Sequence, residues 1–331
     1  MAEKAMKNNL IFRPHFKTHQ NRQVASWFRD LGIDKITVSS LKMAKYFMAS
    51  GWDDITIAFP FDPNETSEID KIASNISLQV LVSNMQHINH LSKLKNRVGV
   101  MIKIDVGYHR SGIWFEETER VKQIILEILK QPNLFFMGLL SHFGNSYEAR
   151  NKEQITGTGK KSIHRLLMLK NKLSKDLGMV IYTSIGDTPT ASVLDDFSGI
   201  DELRPGNFVF YDLMQLQIGS CYLQQISAVM RCAVVDKKPK EKQLIIHGGA
   251  VHFSKESFDY GGKKSHGKVV NTTSDSWKLS ESYLINLSQE HGIVQCDEAD
   301  YNLYEIGDYV DIIPVHSCLT ANLMKNDFEF V

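Results

Sequence analysis

The sequence predicts an eight-stranded β/α barrel followed by a mostly β domain, and three observations predict it. Short apolar, β-branched runs alternate with amphipathic stretches over the first two-thirds of the chain. Eight such runs occur there, the number a (β/α)8 TIM-type barrel requires. After Leu213 the amphipathic stretches stop and short β-like runs follow, separated by Gly-, Asp- and Lys-rich turns. A barrel over 1–213 and a β domain over 214–331 are therefore expected, with a doubly wound sheet as the alternative for the first part.

The eight strand candidates are Leu10–Phe16, Lys35–Ser39, Asp54–Phe59, Leu78–Ser83, Val98–Val106, Phe135–Ser141, Met179–Ile185 and Glu202–Phe210. Helix-like segments lie between them at Arg22–Leu31, Leu41–Ser50, Glu65–Ala73, His87–Leu94, Glu116–Lys130 and Lys160–Leu177, with a short one after Pro189. Pro189 suits a first helical turn, and Gly32 and Gly51 stand where helices end. In the second part, Ile218–Val235, Gln243–Ile246, Gly267–Val270, Ser282–Ser288, Ile293–Cys296 and Tyr309–Pro314 are the β candidates, with no convincing helix among them. Phe253–Trp277 is polar and rich in Gly, Lys and Ser, and is expected to be a mobile loop or one folded over a neighbour.

Composition narrows the function classes. Lys+Arg and Asp+Glu are both 38, so the formal charge is zero, which argues against a broad nucleic-acid or anionic-membrane surface. The hydrophobic fraction of 43% is that of a soluble enzyme, and no apolar run is long enough to span a bilayer. Cys221, Cys232, Cys296 and Cys318 are widely spaced in a chain without an export signal. They are expected to be reduced thiols in a cytoplasmic protein.

Five clusters carry chemistry. Lys17, in Arg13-Pro14-His15-Phe16-Lys17-Thr18-His19, follows the first strand candidate, and barrel strands end at the active-site face. A lysine there suits Schiff-base chemistry if partly desolvated, with His15 and His19 on its face were the strand to continue; alone, it equally describes a surface lysine. The stretch Thr183-Ser184-Ile185-Gly186-Asp187-Thr188-Pro189-Thr190 follows the seventh candidate and Arg204-Pro205-Gly206-Asn207 falls at the eighth, where barrel enzymes often hold a phosphate. Gly186 and Gly206 permit close backbone approach; Ser184, Thr188 and Asn207 add donors, and Asp187 is a poor phosphate ligand by charge. His316 and Cys318 share a face in an extended segment, where imidazole and thiolate together favour zinc, unless both are simply buried. Arg110, ending the fifth candidate, could meet a phenolate or carboxylate; His142 and Tyr147, after the sixth, could pack on or bond to a cofactor ring.

In order along the chain, RPHFKTH, KIDVGYHRSGI, SHFGNSY, SIGDTPT, RPGNFVFYD, EHG at 290–292 and PVHSCLT resemble the fold-type III pyridoxal-phosphate enzymes of the D-serine dehydratase/D-threonine aldolase family, relatives of alanine racemase. The resemblance implies a cofactor barrel with a β domain, working as a homodimer on a small D-amino acid. It implies Lys17 as the Schiff-base lysine, Tyr147, Thr188, Gly206 and Asn207 as cofactor contacts, and Arg110 near the ring hydroxyl. It makes His316 and Cys318 the metal pair. His-x-Cys is the pattern of the family's zinc-using dehydratases, whereas aldolases more often show His-x-Asp with a harder ion. The expected activity is zinc-assisted dehydration of D-serine to pyruvate and ammonia. The alternatives are a D-threonine aldolase, giving glycine and acetaldehyde, and a non-catalytic binder of the cofactor. Two departures stand out: Leu140 replaces a frequent tyrosine, and the family's leading strand is missing before Asn8, so the β domain is expected to close differently or the chain to start inside the family's usual length.

Overall fold

A computed structural model describes residues 1–272 and 277–330. The chain divides into two compact units, Met1–Gly206 and Asn207–Val331. The first carries eight parallel strands: β1 (Ile11–Phe12), β2 (Lys35–Val38), β3 (Asp54–Pro60), β4 (Ser77–Val82), β5 (Val98–Asp105), β6 (Leu134–Ser141), β7 (Thr183–Ile185) and β8 (Glu202–Leu203). They run in the order β1-β8-β7-β6-β5-β4-β3-β2, with a short strand Ile113–Trp114 added to β5. β5 is buried along nearly its whole length because a parallel barrel covers both faces of each strand, hence its continuous apolar run.

The barrel closes between β1 and β2 at one point, a parallel bridge from His15 to Thr37. There the Phe16 amide donates to the Thr37 carbonyl at 2.8 Å, and the Thr37 amide to the Pro14 carbonyl at 2.9 Å. β1 is shorter than Leu10–Phe16 because Pro14 has no amide hydrogen for the ladder; β8 likewise stops before Pro205. The connecting helices start on side-chain caps, Asn21, Ser40, Asn84 and Asn151, each accepting from an amide of the first turn. The helix expected from Lys160 begins at Lys152, its early glycines having hidden the start, and ends on Gly178 at φ 64°. A helix Ala2–Lys7 was not foreseen by the pattern.

The second unit is a closed antiparallel barrel of six strands: β9 (Met230–Lys238), β10 (Gln243–His247), β11 (Gly267–Thr272), β12 (Trp277–Leu287), β13 (His291–Gln295) and β14 (Tyr309–Pro314). β14 pairs with both β9 and β11, so the sheet closes within its own six strands. Its core is Val234, Leu244, Ile246, Val269, Leu284, Val294, Val310 and Ile312. The expectation of no helices here is corrected: Leu213–Gln217, Ala250–Phe253, Glu298–Leu303 and Ser317–Leu323 are helical. Each is under two turns, too short for a 3.6-residue stripe to register. Phe253–Trp277 is no open loop either: it holds the hairpin Phe258–Tyr260/Lys263–Ser265 and β11, while 273–276 lie outside the described residues. The strand expected from Ile218 starts only at Met230.

Candidate active site

Lys17 lies two residues past the β1–β2 bridge, in a turn, with its side chain exposed. Its amide faces His15 Nδ1 at 3.4 Å. Burial, then the positive charges of Lys17 and Arg204, push the His15 pKa well down, so this imidazole is neutral. His19 does not share the face of Lys17. The strand ends, and the turn tucks His19 among Phe16, Phe28 and Phe47, where burial lowers its pKa to about 3.

The loops after β6, β7 and β8 meet. Gly186 and Gly206 have no space for a side chain: a Cβ on the first would sit 2.7 Å from the Arg204 carbonyl oxygen, and on the second 2.9 Å from that of His15. His142, after β6, bonds through Nδ1 to the Gly186 carbonyl, and its pKa is driven well down by burial and then Lys103. The Tyr147 hydroxyl accepts from the Thr188 amide at 3.3 Å. Arg110 is exposed and lies over the Tyr108 ring, 4.9 Å from its centroid; Tyr108 in turn is 5.9 Å from the His142 ring.

Under this rim lies a buried polar network. Arg13 pairs with Glu202 at 2.7 Å and with Asp54, Glu202 accepts from Ser184, and Arg204 donates to Ser184 and to the Ser141 carbonyl. Burial, opposed by Glu202, lowers the Arg204 pKa to about 10. Lys103, buried on β5, is lowered to about 7 by burial first and then by Arg204 and Arg110. Neither Arg204 nor Lys103 was singled out from sequence, although a lysine within an otherwise apolar run was the available signal.

Among the described residues, three polar atoms at the β7 loop are buried without a hydrogen-bond partner: Thr188 Oγ1, Thr190 Oγ1 and Asp187 Oδ1. Buried polar atoms are rarely left so, and unpartnered hydroxyls in the loop after a barrel's seventh strand fit a phosphorylated ligand. A lysine at the rim completes the donor set that pyridoxal phosphate requires.

In the second unit, the expected extended placement of the metal pair is corrected: His316 caps the helix Ser317–Leu323 and Cys318 lies in its first turn. The two side chains remain hydrogen-bonded. Burial opposes charge on His316, but the bond to Cys318 and the negative charges of Asp212 and Glu256 outweigh it and raise its pKa. Asp212 is fully buried; it accepts from Asn207 Nδ2 at 2.7 Å, from the Gln215 amide at 2.9 Å and from the Ser317 amide at 3.1 Å. The Asn207 side chain, expected to add a donor for a phosphate, is thus committed to Asp212. An imidazole and a thiol held together beside a buried carboxylate are a donor set fit for a thiophilic divalent ion. A different group, His247, His252 and Glu290, also brings three ligand-type atoms within 4.8 Å. The Gly249 amide donates to His252 Nδ1 at 3.0 Å, which leaves the proton on the Nε2 facing Glu290, an arrangement that points a donor rather than a lone pair at the shared space.

Residues 3–213 match the model of the alanine racemase N-terminal domain. The chain belongs to that family. Residues 227–328 match a second family model, described as a putative serine dehydratase domain. Among curated proteins, the chain is similar to a D-serine dehydratase of Dictyostelium discoideum, 29% identical over all of this chain and 89% of that one. It is 26% identical to a D-threo-3-hydroxyaspartate dehydratase of Delftia sp., over 97% of this chain and 87% of that one. The solved structure of that Delftia protein superposes with a TM-score of 0.89 at 24% identity, covering 97% of this chain and 87% of that one. A cysteine mutant of the same dehydratase, in its metal-free form, gives 0.88 over the same shares. A D-threonine aldolase from Filomicrobium marinum gives 0.81 at 18% identity, over 98% of this chain and 85% of that one. No helix among the described residues is long and apolar enough to cross a membrane.

Proposed function

We propose that this protein is a pyridoxal-phosphate-dependent, zinc-assisted lyase that dehydrates D-serine to pyruvate and ammonia. The single observation carrying the proposal is the cluster at the first barrel's rim. An exposed lysine lies just past the seam, and buried unpartnered hydroxyls lie in the loop after β7. Lys17 would hold the cofactor covalently, Thr188 and the backbones of Gly186, Gly206 and Asn207 its phosphate, His142 and Tyr147 its ring, and Arg110 its ring hydroxyl. When bound, pyridoxal phosphate supplies an electron-withdrawing ring that acidifies the α-proton of an amino acid.

The protein's own groups do the rest. The Lys17 amine removes the α-proton, and neutral His15 and His142 beside it add no competing charge. His316 and Cys318 would hold zinc, or another divalent ion, which supplies Lewis acidity for a departing β-hydroxyl. The His-x-Cys pair and the full-length likeness to a D-serine dehydratase support dehydration over aldol cleavage. The same reading makes the protein a homodimer, which light scattering on the purified protein tests, and places it in the cytoplasm. For the activity, purified protein with cofactor and zinc is given D-serine, and pyruvate is measured. No pyruvate, or acetaldehyde from D-threonine instead, overturns the assignment.

A further inference from the structure

The loop between β5 and the short strand Ile113–Trp114 is fixed from three sides. Asp105 Oδ1 accepts from the Gly107 amide at 2.8 Å, the Tyr108 amide at 3.0 Å and the His109 amide at 3.2 Å. Arg165, on the helix Lys152–Leu177, donates to the Val106 carbonyl at 2.7 Å. The Tyr108 ring lies against Gly144 in the loop after β6, where a Cβ would overlap it. The same loop holds His109 at φ 57°, a left-handed conformation uncommon for a residue with a side chain.

Arg110, the next residue, has no polar anchor of this kind. Among the described residues its guanidinium makes no hydrogen bond and no ion pair, and it lies over the Tyr108 ring, 4.9 Å from the centroid. Lys103, close enough to feel its charge, has the same sign. An arginine in an ion pair has donors occupied by the carboxylate. One seated on a ring face loses part of its rotamer freedom but keeps all five N–H donors for a ligand. We infer that Tyr108 is a positioning residue, whose ring face holds the Arg110 guanidinium, donors free, for the cofactor's ring hydroxyl. The inference rests on the cofactor reading above and adds the residue through which Arg110 is set. His142, whose ring is 5.9 Å from that of Tyr108, is held separately by its bond to the Gly186 carbonyl, so loss of Tyr108 acts through Arg110.

A double-mutant cycle tests this, with pyridoxal phosphate titrated into the cofactor-free protein and its absorbance band as the readout. Tyr108→Leu removes the ring face and should weaken binding by about two- to fivefold, the factor that a cation–π contact at an exposed site contributes. Tyr108→Phe keeps the face and should bind within about twofold of the wild type. Arg110→Ala should weaken binding by about tenfold or more, the worth of a hydrogen bond to a charged group. Adding Tyr108→Leu to Arg110→Ala should then change nothing further. A merely structural ring would weaken binding equally with and without Arg110, and that additivity overturns the inference. A loss of about fivefold or more in Tyr108→Phe overturns it too, even should the leucine variant not fold. Unweakened binding by Arg110→Ala removes Arg110 from the site, and this inference with it, while leaving the cofactor reading. No band with the wild-type protein overturns both.

Discussion

The chemistry proposed for Lys17 would come from position rather than from burial. Its side chain reaches solvent, yet the residue is fixed two positions past the bridge that closes the barrel. Lys17→Ala should abolish covalent cofactor attachment and cut pyruvate formation by about 10²–10⁴, the usual loss for a removed general base. A fall of less than about tenfold would take Lys17 out of the reaction. Beneath it, Glu202 neutralises Arg13 and steadies Ser184, with Arg204 close by, and all four are buried. Removing one partner of a buried pair leaves an uncompensated charge. Glu202→Gln should therefore lower stability by about 3–5 kcal/mol in urea unfolding, and a loss near zero would show that the arginines find other partners.

Strand β5 bears the most unusual charge among the elements. Lys103 titrates in the folded protein at about 7, against about 10.4 in an unfolded chain. Between those values only the unfolded chain holds the proton, so stability rises with pH across that window; below it the fold carries the full desolvation cost. Lys103→Met should thus raise Tm more at about pH 6 than at about pH 9, and the opposite order in thermal scans would contradict the burial argument. The barrel strands were legible because strands covered on both faces are written as unbroken apolar runs, β5 and β6 most plainly. The helices of the second unit were not, since four to seven residues do not complete a pattern. At the site, Lys17, the two glycine loops and the His-x-Cys pair were legible as motifs. Arg204 lay inside a quoted motif without being singled out, and the turn that carries His19 into the core depends on an aromatic cluster assembled from three separate segments.

At the scale of the whole molecule, every residue proposed for the cofactor except Asn207 falls in the first compact unit, and the proposed metal pair falls in the second. Their losses should separate. Cys318→Ala should lose bound zinc, read by elemental analysis, and lose pyruvate formation, while keeping the cofactor's absorbance band. A variant that loses the band along with the metal would show that the two units do not bind independently. The seam between β1 and β2 carries a further consequence. Two backbone hydrogen bonds, at Phe16 and Thr37, close a ring whose other strand pairs are joined along their lengths. Deuterium uptake at those two amides is a gauge of the ring's momentary openings. Tethering Lys17 to a ligand anchored in the loops after β7 and β8 staples the seam from above, so loading the protein should slow exchange at Phe16 and Thr37 more than at the amides of β4 or β5.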